Sequence, residues 1–145
     1  MKKYKIGYTT GVFDMFHIGH LNLLVNAKKL CDYLIVGVNS DSLVKEYKHK
    51  TPVINEEDRK TIVENIKCVD RCIIVNTLDK KEVLNRIDFN VVFVGDDWAK
   101  NERWINTKKE LSQLGIDVVF LPHTEGISST VLRLCEKNKV LEEKQ

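Results

Sequence analysis

Polar and apolar residues alternate along Lys3–Thr10, and the stretch is rich in tyrosine, isoleucine and threonine, which predicts a strand. From Ile18 to Leu30 the apolar positions are 18, 21, 24, 25, 27 and 30, the spacing of an amphipathic helix, with Asp32 as a break. Tyr33–Val38 is an almost unbroken apolar run, as expected of a strand covered on both faces of a parallel sheet. Strand, helix and strand make a right-handed βαβ unit. Asn39–Val53 is polar, carries Lys45, Lys48 and Lys50, and reads as a loop with one helical turn from Asp41. Asn55, followed by Glu56, Glu57 and Asp58, opens a helix through Ile62, Val63 and Ile66. Then come a strand over Cys72–Val75, a helix over Lys80–Ile87 and a strand over Val91–Val94. A helix over Asn101–Leu114, closed by Gly115, leads to a strand over Asp117–Leu121. Pro122 ends that strand, and a last helix starts within Gly126–Thr130 and passes Leu132 and Cys135. Residues 1–135 read as one domain and residues 136–145 as a charged tail.

Five buried strands alternating with helices predict an α/β fold, a doubly wound parallel sheet of order 3-2-1-4-5. Ligands in such sheets bind at the carboxyl ends of the strands, near the point where the strand order reverses. Each polar cluster that carries candidate chemistry falls at or just past such an end. That coincidence points to one composite site.

Composition narrows the function classes. The 145 residues are 43% hydrophobic and 30% charged, with a net charge of +2, too small to argue for a nucleic-acid partner. No stretch approaches the roughly 20 apolar residues of a membrane span, and the start of the chain does not resemble a signal peptide. A cytoplasmic location is expected. The four cysteines (Cys31, Cys68, Cys72 and Cys135) form no Cys-x-x-Cys pair and read as reduced thiols.

Between the first strand and helix lies Gly11-Val12-Phe13-Asp14-Met15-Phe16-His17-Ile18-Gly19-His20. Free N–H groups at a helix start suit an anion, glycine allows close approach, and histidines at i and i+3 share one face of the first turn. Neither a dinucleotide fingerprint nor a Walker A loop is present. Helix capping or metal binding by the histidines are the alternatives to phosphate chemistry.

Gly-x-Phe-Asp-x-x-His-x-Gly-His resembles the signature of the cytidylyltransferase-like nucleotidyltransferases, the Rossmann-like HIGH-type fold. The resemblance extends from Lys3 to about Leu134. It implies transfer of a nucleotidyl group from a nucleoside triphosphate to a phosphorylated acceptor, with release of pyrophosphate. His17 and His20 would contact the triphosphate and stabilise the transition state. Gly11, Val12, Phe13 and Gly19 would line the nucleotide site, and Asp14 would fix the loop. Magnesium would be held mainly by the nucleotide itself, with Asp14 as the candidate protein ligand. Lys48 and Lys50 are the candidate catalytic lysines, and Lys48 and Arg59 the candidate acceptor ligands. Without the resemblance, that charge run would read as a solvated face.

Two further stretches resemble the glycerol-3-phosphate cytidylyltransferase branch. Gly95-Asp96-Asp97-Trp98 resembles a segment of the nucleotide and acceptor pockets, which implicates Gly95, Asp97 and Trp98. Pro122-His123-Thr124-Glu125-Gly126-Ile127-Ser128 resembles that branch's second signature, with His123 where the branch usually has arginine. Thr124, Gly126, Ile127, Ser128, Ser129 and Thr130 would bind the β- and γ-phosphates, and Asp97 and His123 would face the acceptor. Lys67–Arg71 resembles a dimer-forming segment, so a homodimer is expected. CTP and glycerol 3-phosphate are the implied substrates. The rival readings are another phosphorylated acceptor, ATP as donor, or a non-catalytic nucleotide-binding module.

Overall fold

The computed structural model describes residues 2–123. Five strands form one sheet: β1 (Tyr4–Gly11), β2 (Cys31–Asn39), β3 (Arg71–Val75), β4 (Val91–Gly95) and β5 (Asp117–Leu121). Their order is β3-β2-β1-β4-β5, and every pairing is parallel, as the hydrophobic pattern predicted. Between them run α1 (Ile18–Lys28), α2 (Asp41–Lys48), α3 (Glu56–Glu64), α4 (Lys80–Val83) and α5 (Glu102–Gln113).

Helices cover both faces, so the central strands bury both sets of side chains. Leu24 of α1 and Val63 of α3 pack with Leu34, Val36 and Phe93 on one face. Val83, Trp104 and Leu111 pack with Tyr8, Ile35 and Val92 on the other. The order reverses between β1 and β4, which meet at Tyr8↔Val92 and Thr9↔Phe93. The loop that leaves β1 therefore emerges at the crevice where such sheets bind ligands.

The structure departs from the sequence pattern at four places. α2 is a full two-turn helix: Ser40 caps it by accepting from Leu43 N at 3.1 Å, and His49 ends it at φ 58°. Only Leu43 and Val44 are buried in it, too few for the apolar spacing to be visible. α4 ends at Val83; beyond it Asn85 N and Arg86 N bond three residues back, to Glu82 O and Val83 O, which tightens the chain out of an α-helix. Asp32 does not break the chain before β2, because the strand already begins at Cys31, opposite Tyr4, and Asp32 simply faces solvent. α1 stops at Lys28, two residues short of Leu30. Gly115, at φ 77°, does follow α5 in the left-handed conformation that a C-terminal cap requires. Cys31, Cys68 and Cys72 are free thiols. No helix among the described residues is long and apolar enough to cross a membrane.

Candidate active site

A cavity of about 410 Å³ opens over the carboxyl ends of β1, β2 and β4, with Thr10, Gly11, Asn39 and Gly95 in its floor. That volume suits a nucleotide-sized ligand. One wall is the loop between β1 and α1, whose backbone is unusual. Phe13 (φ 54°) and Met15 (φ 50°) are left-handed without being glycine. Such residues persist only where their surroundings hold them.

Two side chains do the holding. Asp14, 3% exposed, accepts from Val53 N at 2.8 Å and from Ile54 N at 2.9 Å. Arg59 is fully buried. Its Nε donates to Ile54 O at 2.8 Å, its Nη1 to Val12 O and Asn39 O at 2.7 Å each, and its Nη2 to Asp41. Together they stitch the histidine loop to the segment between α2 and α3. Asp41 completes the stitch: Glu56 N donates to its carboxylate, while Asp41 N donates to Glu56.

The histidines cap α1 and also face the cavity. His17 is the N-cap, and its Nδ1 accepts from Gly19 N at 3.1 Å. His17 N in turn donates to Nδ1 of His20 at 3.2 Å. This is a capping box built from imidazoles, although serine or aspartate would cap as well or better. The geometry assigns the tautomer. Each Nδ1 accepts, so each neutral ring carries its proton on Nε2. The rings stack with centroids 3.8 Å apart, and Phe13 meets His20 edge-on at 5.4 Å. Burial lowers the pKa of both; His20, crowded also by His17, is pushed down to about 4. At neutral pH the pair presents two uncharged Nε2–H donors.

This has a consequence for stability. An unfolded histidine binds a proton near pH 6.5, whereas folded His20 resists one until about pH 4. The unfolded chain therefore takes up the extra proton in that window, and stability falls as pH drops through it. His20→Gln keeps a capping-box residue at this position and removes the titration. Urea midpoints measured from pH 7 to pH 4 should decline less steeply in that variant; parallel profiles would refute the assignment.

Lys48 and Lys50 reach the cavity from the end of α2 and the segment after it. Lys80, the N-terminal residue of α4 and only 3% exposed, also lines the cavity. Its ammonium donates to Leu78 O at 3.1 Å and lies 4.8 Å from the centre of the Trp104 ring. Burial and then the charge of Arg103 lower its pKa to about 8. Trp98, Trp104, Arg103 and Tyr47 line the same cavity. Tyr47 OH accepts from the Asn39 side chain at 3.1 Å, and Asn39 in turn accepts from Thr10 Oγ1 at 3.0 Å. Asp97 and Trp98 sit in a 3₁₀ turn straight after β4, and His123, just past β5, pairs with Asp96 of that turn.

A family model described as cytidylyltransferase-like matches residues 8–134, most of the chain. The chain belongs to the cytidylyltransferase-like family. Among its relatives is the glycerol-3-phosphate cytidylyltransferase of Bacillus subtilis (strain 168), 39% identical over 127 residues, which cover 86% of this chain and 92% of that protein. The enzyme of the same name from Staphylococcus aureus is 34% identical over 126 residues, 86% of this chain and 89% of that one. The bifunctional protein HldE of Nitrobacter winogradskyi is 33% identical over 88% of this chain, but the match covers only 26% of HldE. A solved structure from Thermoplasma volcanium, described as a lipopolysaccharide core biosynthesis protein, superposes with a TM-score of 0.69 at 28% identity, over 83% of this chain and 97% of its own.

Within this cytidylyltransferase-like site the structure gathers most of the residues singled out from the sequence. Gly11, Val12, Asp14, His17, Gly19 and His20 line the cavity from the first loop. Lys48, Lys50, Gly95, Asp97, Trp98 and His123 line it from the others. Two do not. Phe13 lies behind the wall as a support for His20. Arg59, expected at the acceptor, is enclosed beneath the loops and spends its donors on the protein's own carbonyls. Asp14, the candidate magnesium ligand, likewise has both oxygens engaged by backbone amides. No group of three His, Cys, Asp or Glu side chains among the described residues is arranged to hold a metal. Thr124, Gly126, Ile127, Ser128, Ser129 and Thr130 lie outside the described residues. Sequence reasoning missed Lys80, Trp104, Arg103 and Tyr47. For Lys80 a signal existed: it follows Asn76–Asp79, the loop at the carboxyl end of a predicted strand.

Proposed function

We propose that this protein transfers CMP from CTP to glycerol 3-phosphate, yielding CDP-glycerol and pyrophosphate. The observation that carries the reading is the pair of neutral histidines at the switch point, each with Nδ1 engaged, in the wall of a cavity that Lys48, Lys50 and Lys80 also line. The choice of cytidine and glycerol 3-phosphate rests on relatives of that name matched over nearly their whole length. The HldE match covers only a minor part of that protein.

The substrate is magnesium–CTP, its metal held by the nucleotide's own phosphates. A phosphate oxygen of the acceptor attacks the α-phosphorus in line. The new P–O bond forms as the bond from the α-phosphorus to the bridging oxygen breaks, and pyrophosphate leaves with the electron pair. Placement and charge stabilisation supply the rate. His17 and His20 donate to phosphate oxygens as charge develops. Lys48 and Lys50 neutralise the donor phosphates, and Lys80 takes the acceptor phosphate. Ser128 and Ser129 hold the β- and γ-phosphates, Asp97 and Trp98 stand where the nucleotide and acceptor pockets meet, and the protein acts as a homodimer.

Pyrophosphate release from CTP or ATP, measured with glycerol 3-phosphate, phosphocholine, phosphoethanolamine and sugar phosphates, tests the reading. CTP with glycerol 3-phosphate should give the highest kcat/KM. Nucleotide binding without release for any acceptor would favour a non-catalytic binding module instead. Lys80→Met should raise the KM for the acceptor ~10-fold or more, the scale of a lost charge-assisted hydrogen bond. A rise confined to the KM for CTP would move Lys80 to the nucleotide end.

A further inference from the structure

The acceptor end of the cavity holds two cations, Lys80 and Arg103, that form no ion pair with a carboxylate among the described residues. Lys80 bonds only to Leu78 O and faces Trp104. Arg103 lies further out, its guanidinium carbon 5.6 Å from the centre of the Trp104 ring and 5.7 Å from that of Trp98. Among the described residues the ion pairs are Lys28–Asp70, Arg59–Asp41, Lys60–Glu64, Lys81–Glu110 and His123–Asp96, and none includes Lys80 or Arg103. Arg103 thus lies against two indoles, beside a buried ammonium that it repels.

Two indoles directed at one point form the kind of cage that takes up a quaternary ammonium. Here that point is already filled by the chain's own guanidinium. An acceptor with a cationic head would have to displace Arg103 from both rings and then sit beside its charge. An acceptor whose only charge is its phosphate meets neither obstacle, and finds Lys80 and Arg103 as donors. A repulsive element of this kind contributes to specificity as much as a new attraction does.

We propose that Arg103 sets acceptor choice by filling the Trp98–Trp104 pair, which excludes phosphate esters with a cationic head group and admits those with a neutral polyol. The proposal rests on the nucleotidyl-transfer reading above, and names the acceptor class of that same site.

Trp98 and Trp104 are the only tryptophans in the chain, so intrinsic fluorescence reports this end of the cavity without turnover. The test titrates glycerol 3-phosphate and phosphocholine into the wild type, Arg103→Gln and Arg103→Lys, with CTP present and divalent metal removed. Arg103 is exposed, so neither substitution removes core packing. In Arg103→Gln the ratio of the two dissociation constants should move toward phosphocholine by at least fivefold. Arg103→Lys keeps a cation over the rings and should stay closer to the wild type than that. A smaller shift in Arg103→Gln, an equal shift in Arg103→Lys, or no response to either ester in any variant overturns the proposal. Because this readout is binding, it is separate from the transfer assay. A protein that binds both esters yet releases no pyrophosphate would defeat the catalytic reading, and the ratio would still decide the role of Arg103.

Discussion

His17→Ser is expected to lower kcat by roughly 10²–10³-fold, the cost of removing one donor to a developing oxyanion, while leaving the stability of α1 nearly unchanged. The two effects separate because the proposed catalytic role and the capping role of His17 fall on two different nitrogens. Nδ1 caps the helix by accepting from Gly19 N, which leaves Nε2–H as the donor of a ring that lines the cavity. A serine hydroxyl replaces the first function and is too short for the second. His17→Ala loses both, so it should show the same fall in turnover plus about 1 kcal/mol of lost stability, typical of a deleted N-cap. Affinity for CTP should change little in either, because the interaction strengthens chiefly in the transition state. Pyrophosphate release, urea midpoints and CTP titration read the three quantities separately. Near-normal turnover in His17→Ser would reduce the histidine to a cap and remove it from catalysis.

That dual role shows what the sequence could and could not convey. The histidine spacing, the glycines and the strand-to-helix junction were legible, because each depends on neighbours in the chain. Capping and phosphate contact looked like rival explanations, yet the folded rings cap through Nδ1 and still line the cavity, so one does not exclude the other. The strand order was legible as well, since β2 and β4 are apolar on both faces and only a doubly covered parallel sheet accommodates such runs. What stayed hidden depends on tertiary placement. A left-handed backbone would ordinarily suggest glycine, but Phe13 and Met15 adopt it because Asp14 between them is fixed to Val53 and Ile54. Lys80 looked like an ordinary helix start, and only the approach of α5 puts Trp104 beneath its ammonium. Arg59 sat in a charge run, where exposure is the usual outcome, and is instead fully enclosed.

Arg59→Met should be among the most destabilising single changes in the described part of the chain, at about 3–5 kcal/mol, the range for breaking a buried charged network from one side. Methionine matches much of the side-chain volume, so the loss comes from unmade hydrogen bonds rather than from a cavity. The carbonyls of Val12, Asn39 and Ile54 would lose their donor, and Asp41 its partner. Each orphaned buried acceptor costs about 1–3 kcal/mol, and partial solvation of Asp41 keeps the total at the low end of the simple sum. With typical domains stable by only about 5–15 kcal/mol, the variant should unfold at a much lower urea concentration. The strained loop should loosen with it, so CTP affinity should fall even where the protein is still folded. Arg59→Lys should not rescue either property, because an ammonium cannot reproduce a planar fork that spans four acceptors. The acceptor role expected from the sequence makes the opposite forecast: wild-type stability in both variants and a raised KM for the acceptor alone. Denaturation midpoints with the two KM values therefore distinguish an arginine that binds substrate from one that shapes the loop on which His17 and His20 stand.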